Sequence, residues 1–160
     1  MAAGYAATTG AAFAVTSGAK TLINLIAGAT SAPPVLTEFG VSFDGVTSSA
    51  VPALVELCAS TQAGAGTTGT VGAITQIRGY AGAGLVSGCT VVGQYTAEPT
   101  VLVAVKQWFV PAFMGLLVIQ FPLGREAMGF DTASTSMKGI ALRVSAPAAV
   151  NVRGYIEWDE

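Results

Sequence analysis

The chain has 160 residues and a mass of 16.0 kDa, a length that favours a single domain. Only 10% of the residues are charged, against roughly 25% in an average soluble domain, and the net charge is −2, so the chain offers no basic surface and we expect no nucleic-acid partner. It contains no histidine, which excludes histidine-based acid–base catalysis, histidine-containing triads and the commonest zinc and iron sites.

The N-terminal segment is small and uncharged. We interpret residues 1–18 as a flexible arm that precedes a single domain over residues 19–160. No basic residue stands before Lys20, so the segment lacks the positive start of a secretory signal. We therefore interpret it as the ordinary N-terminus of a protein made in the cytoplasm.

From Lys20 onward, short apolar segments recur between turn-forming residues, which is typical of a sandwich or barrel. Strands are predicted over residues 20–27, 35–44, 53–60, 73–80, 90–97, 101–109, 112–121, 140–145 and 150–158. No segment has a helical period. The predicted fold is therefore all-β, a two-sheet antiparallel β-sandwich of jelly-roll type with eight to ten strands.

Alternation within these strands predicts which side chains face the core, because successive residues of a strand point to opposite sides. In the last strand, Val150, Val152, Ile156 and Trp158 point one way, and Asn151, Arg153, Tyr155 and Glu157 point the other. The same rule places Ile140, Leu142, Val144, Phe39, Val41, Phe43, Val101, Val103 and Val105 in the core, with Lys106 opposite the last three. Residues 22–26 are apolar on both faces, which implies cover from another sheet, a long loop or a neighbouring subunit.

Residues 107–124 carry no charge, so a membrane segment has to be considered. A spanning helix needs about 20 mostly apolar residues. Pro111 and Pro122 interrupt this segment and would break a helix. Two strands joined by a turn fit better, and we expect no membrane partner.

Glycines 64, 66 and 69 form a literal GxGxxG within residues 61–72. In a dinucleotide site such glycines turn a strand directly into a helix, whereas β-branched residues follow here. We interpret residues 61–72 as a Gly-rich loop.

No two carboxylates are predicted to converge, and no loop has the alternating acids of a calcium site. We therefore expect no enzymatic activity, no metal and no cofactor.

The remaining candidates are contact residues. Cys58 and Cys89 are commoner as buried thiols than as reactive groups, although a single disulfide between them stays open. Aromatic residues at 108, 109, 113 and 121 would suit a sugar-binding platform, but at strand spacing they favour the core or a subunit interface. The interface candidates are Trp108, Phe109, Phe113, Arg153, Tyr155 and Glu157, the last three on a polar face that could equally be solvated.

Three segments resemble a known family: VSFDGVTSSAVPALVELC (41–58), FPLGRE (121–126) and GIALRVSAPAAVNVRGYIEW (139–158). They are similar to the small jelly-roll proteins encoded near the capsid genes of tailed bacteriophages, the head decoration or cement proteins. The resemblance extends from about residue 20 to the end. It implies a β-sandwich that oligomerises, often as a trimer, and sits on the outside of an assembled head. It implies no catalytic residues.

The expected function is thus that of a non-enzymatic virion structural protein, made in the host bacterial cytoplasm, that binds the capsid exterior and stabilises the mature shell. Its expected partners are further copies of itself, as a homotrimer, and the major capsid protein. The alternatives are a host-recognition knob of a phage fibre and a carbohydrate-binding β-sandwich module. A knob would predict a fibrous repeat, which the sequence lacks.

Overall fold

A computed structural model describes residues 3–28, 34–46, 51–60, 67–69, 71–79, 86–99, 102–122, 127–129 and 139–160. Within these ranges the chain forms thirteen strands and no helix. The strands are β1 Gly4–Thr8, β2 Phe13–Val15, β3 Lys20–Ile26, β4 Val35–Phe43, β5 Ala53–Ser60, β6 Thr67–Gly69, β7 Thr75–Arg78, β8 Thr90–Ala97, β9 Leu102–Val110, β10 Leu116–Gln120, β11 Ala127–Gly129, β12 Gly139–Ser145 and β13 Val150–Asp159.

The strands form two antiparallel sheets packed face to face. Sheet A has the order β10-β4-β13-β1-β7, with β2 also paired to β13 and β11 to β4. Sheet B has the order β6-β8-β3-β12-β5-β9. Four pairs are nested like one long hairpin: β1 with β13, β3 with β12, β4 with β10 and β5 with β9. Rolling that hairpin into two sheets gives a jelly roll, so the predicted fold class is confirmed.

The chain between β5 and β9 enlarges both sheets. β7 joins β1 at the edge of sheet A, while β8 and β6 extend sheet B beyond β3. All nine predicted strands are present, and β1, β2, β6 and β11 raise the number above the predicted eight to ten. Three of these additions have only three residues, which is too short for alternation to be read from a sequence.

The N-terminal segment is not a flexible arm over residues 4–15. β1 lies inside sheet A between β13 and β7, and β2 pairs with β13. Tyr5, Ala7 and Val15 are buried in the main core. Three of the five residues of β1 are Gly or Ala, which have little strand preference of their own, and what holds this segment is packing against its neighbours in the sheet. That support is invisible in the local sequence.

The core lies between the sheets. The alternation of apolar and polar residues along the strands predicts most of its side chains. In β13 the side chains of Val150, Val152, Ile156 and Trp158 are buried, and the intervening ones are not. The predicted core residues of β4 and β12 are buried as well. β3 is buried on both faces over residues 21–25, so its second face is covered within the single chain.

β9 departs from the prediction. Leu57 of β5 pairs with Lys106 and Cys58 pairs with Ala104, so Val105 is an extra residue in a β-bulge. A bulge reverses the in–out phase of a strand. The reversal puts Lys106, which pairs with the buried Leu57, on the same side of the strand as Val103. Lys106 is exposed and places its ammonium 4.7 Å from the centre of the Phe121 ring. Val103 and Val105 are about half exposed, so neither joins the core as predicted. The prediction for residue 101 lies outside the described residues.

Two further predictions concern connecting segments. Of the predicted Gly-rich loop, residues 61–66 and 70 lie outside the described ranges, and Thr67–Gly69 forms β6 on β8. Residues 107–124 contain the end of β9 and all of β10, as the two-strand interpretation predicts. No helix in the described ranges has the length and apolar character needed to cross a membrane.

Candidate interaction surface

One side of the sandwich exposes an unusual amount of apolar surface. β9 is the last strand of sheet B, β10 is the last strand of sheet A, and residues 111–115 join them. Of the eleven exposed large hydrophobic side chains in the described residues, seven lie between positions 103 and 118. Five of them, on β9 and the connection that follows, form what we call the apolar edge surface: Val103, Val105, Phe109, Phe113 and Met114.

The apolar edge surface follows from the local backbone. Val105 is the extra residue of the bulge and is exposed, and Met114 has a left-handed φ of 48° that fits the sharp change of sheet at this point. Phe113 makes an isolated bridge to Gly45 and lines a cleft of about 620 Å³ with Met114. An exposed apolar edge strand is a site where another chain can bind, because its backbone groups and side chains are both unpaired.

The outer face of sheet A borders this edge. Register aligns three rows across its strands: Leu116, Ser42 and Arg153; Val118, Gly40 and Tyr155; and Gln120, Glu38 and Glu157. We call these nine residues the open face. Leu116 is 70% exposed and Val118 47% exposed, so apolar surface continues from the edge onto this face.

Tyr155 lies flat at the centre of the open face. Its ring covers Gly40 so closely that a Cβ at that position would be 2.2 Å from the ring atom Cε1. Its hydroxyl donates a hydrogen bond to Glu38. Burial, and then the neighbouring Glu38 carboxylate, raise the pKa of Tyr155 above its ordinary value. Glycine at position 40 is therefore required by this close approach.

The charges of the open face are separated along β13. Glu157 stands directly opposite Glu38, an arrangement of like charges that is unfavourable in a sheet. Burial, followed by the charge of Glu38, raises the pKa of Glu157. Arg153 lies at the other end and has no salt bridge within the described residues; its guanidinium approaches only the carbonyl of Gly10, at 3.4 Å.

The outer face of sheet B is different because it is buried over its central strands β3, β12 and β5. Glu56 accepts hydrogen bonds from Arg143 at 2.7 Å and from Gln107 at 2.6 Å. Asn24 donates to Tyr95 at 3.2 Å, and its own Oδ1 has no hydrogen-bond partner among the described residues. These groups are engaged in hydrogen bonds with one another.

The two cysteines are both free thiols in buried positions. Burial is the main cause that raises the pKa of Cys58 to about 11 and that of Cys89 to about 12. Both are therefore protonated at neutral pH and are poor nucleophiles. Among the residues that the structure describes, no three Cys, Asp or Glu side chains are grouped so as to hold a metal ion.

The structure separates the six predicted contact residues. Trp108 packs on Phe39 with 5.3 Å between ring centres, so it belongs to the rim of the core. Phe109 and Phe113 lie on the apolar edge surface, 73% and 42% exposed. The remaining three, Arg153, Tyr155 and Glu157, lie on the open face. Sequence reasoning missed Met114, Leu116, Val118 and Glu38, of which Leu116 and Val118 could have been found by treating β10 as an edge strand.

Comparison of the chain with family models, with curated proteins and with solved structures found no match in any of the three.

Proposed function

We propose that this protein is a non-enzymatic virion structural protein that binds the outside of a bacteriophage capsid and stabilises the mature shell. The observation that carries the proposal is the apolar edge surface. A concentration of exposed apolar side chains on one edge strand and the connection after it supports a contact with another protein. Phe109, Phe113 and Met114 are of the types enriched in such contacts. The resemblance of residues 41–58 and 139–158 to head decoration proteins supplies the setting.

The proposed partners are further copies of the chain, in a homotrimer, and the major capsid protein. A decoration protein has to bury surface twice, once between its own subunits and once against the shell. We assign the apolar edge surface to contact between subunits. An apolar contact of this kind persists at high ionic strength, where contacts between exposed charges are screened.

Stabilisation of the shell follows from mass action. A protein that binds the mature shell and not its disrupted form stabilises the shell by about 2.7 kcal/mol per site at a concentration 100 times its Kd. Because a shell offers many equivalent sites, modest binding at each one adds to a large total. No catalytic group is needed for this role.

The first test is the native mass by light scattering in about 0.5 M NaCl, where apolar contacts persist and exposed charge contacts are screened. We expect a species of three times 16.0 kDa. Phe113→Ser should dissociate it, whereas Ile77→Ser should not; both residues are 42% exposed, but Ile77 lies on β7 at the far edge of sheet A. The two variants form a matched pair.

The second test is co-sedimentation with undecorated phage heads, followed by heating of the decorated and undecorated heads. Binding that delays release of the packaged DNA supports the proposal. A monomer that neither associates nor binds heads contradicts it. A monomer that binds immobilised glycans would instead support the carbohydrate-binding module.

A further inference from the structure

The open face carries two sets of charges that cannot neutralise each other within one chain. Arg153 and Glu157 are four residues apart on one strand, which places them about 13 Å from each other. Neither forms a salt bridge in the described part of the chain. Arg78, which is paired with Asp159, lies near enough to Glu157 to oppose the rise in its pKa, but it does not bind Glu157 directly. Glu38 adds a second carboxylate next to Glu157. The face therefore has a cationic row and an anionic row, with the neutral row of Tyr155 between them.

The order of these rows makes the face complementary to itself. When two copies of the face are laid together with their strands antiparallel, the cationic row of each copy lies over the anionic row of the other. The middle rows, containing Val118, Gly40 and Tyr155, then meet each other. Each Arg153 faces two carboxylates of the other copy, Glu38 and Glu157.

We propose that the open face binds the open face of a second copy of this chain, about a two-fold axis. The axis lies between the two faces, perpendicular to the strands and above the row of Val118, Gly40 and Tyr155. Such a contact is isologous, so every interaction occurs twice. It lies on a different surface from the apolar edge surface and goes beyond the proposed function.

The surface shape of the open face suits close packing. Gly40 and Ser42 are small, and the ring of Tyr155 lies flat on Gly40. Packed sheets are about 10 Å apart, a gap that an Arg side chain from one side and a Glu side chain from the other can close. Val118, on the axis row of β10, meets its own copy, and Leu116 adds apolar area beside the charges.

The open face lies on three neighbouring strands, β10, β4 and β13, which span ~14 Å, and its rows extend along five residues, or ~17 Å. The product is ~240 Å², below the ~800 Å² that each partner contributes to a standard protein interface, so we expect a salt-sensitive contact that depends on the charges. The expected occupant is a second copy rather than an unlike protein, because the complement of each row is present on the same face.

The test uses two charge-reversal variants, Arg153→Glu and Glu157→Arg, at about 50 mM salt, where charge contacts are weakly screened. Each variant alone places like charges opposite each other, and we expect self-association through this face to weaken by about tenfold or more. An equimolar mixture restores both contacts, because each changed residue then faces an opposite charge. We expect the mixture to form mixed pairs with an affinity close to that of the unchanged protein.

The readout is the mass of mixtures in which one variant carries a fluorescent label. Lys20→Glu, in β3 of sheet B, is the matched control: it changes the charge as much as Arg153→Glu and should leave association unchanged. If the apolar edge surface does not form a trimer, mixing Arg153→Glu with Glu157→Arg still doubles the mass of the monomer. Failure of the trimer proposal can therefore be distinguished from failure of the open-face proposal. Absence of association in the unchanged protein at low salt, or mixing that restores nothing, would overturn the proposal.

Discussion

Replacing Tyr5 by Ala tests whether the N-terminal strand is part of the folded domain. Tyr5 is 3% exposed and stacks on Trp158 with 5.8 Å between ring centres. Truncating a buried aromatic side chain costs about 3–5 kcal/mol. Because β1 lies next to the sheet's edge strand β7, where the surroundings can relax into the space left by the ring, we expect a loss of about 3 kcal/mol in the free energy of unfolding.

The assay is urea unfolding followed by tryptophan fluorescence, at two protein concentrations so that effects of association are separated. With a slope of about 2 kcal/mol per molar urea, the midpoint should fall by about 1.5 M. Phe109→Ala removes an aromatic ring that is 73% exposed, and should change the midpoint of the monomer by less than about 0.3 M. A shift for Tyr5→Ala as small as that for Phe109→Ala would refute the docking of β1 and restore the flexible arm.

Three further predictions concern buried polar groups. Burial is the main cause that raises the pKa values of Cys58 and Cys89, so neither thiol should react with a thiol reagent at pH 8 in the folded protein. Both should react in denaturant, and rapid labelling of the native chain would contradict this prediction. Arg143→Met should cost about 3 kcal/mol in chemical denaturation because it leaves the buried Glu56 carboxylate without its cation, and adding Glu56→Gln should recover most of the loss. Burial acts to raise the pKa of Glu160, but its hydrogen bonds hold that pKa below the ordinary value of 4.5. The ionised carboxylate therefore stabilises the fold above pH 4.5, and this contribution is lost as the pH falls below 4.5. Glu160→Gln should therefore lower the melting temperature at pH 7 and have little effect near pH 2; equal effects at both would contradict it.

The elements that could be predicted are those whose burial alternates along one strand. In β13 a period of two separates Val152 and Ile156 from Arg153 and Tyr155, and the structure places each on the expected side. Such a pattern is a property of the strand alone, because one face meets the core and the other does not. The outward position of the contact candidates on β13 was predicted for the same reason.

The elements that could not be predicted depend on distant partners. The bulge at Val105 exists because β9 has one residue more than β5 at that point, and no local signal marks it. β1 is held by β13, about 150 residues away in sequence. The charge arrangement of the open face likewise needs the register of β4 against β13, which brings Glu38 opposite Glu157.

The difference between the two outer faces limits where a partner can bind. The outer face of sheet B is already buried over its central strands β3, β12 and β5, with Asn24 and Cys58 fully enclosed. Among the described residues, most of the exposed large apolar side chains lie instead on the β9–β10 side and the adjoining open face. A partner that bound only over those central strands would leave Phe109, Met114 and Leu116 in solvent. Hence both contacts proposed here, one apolar and one charged, are placed on the side of the sandwich where a single chain leaves the most apolar area uncovered.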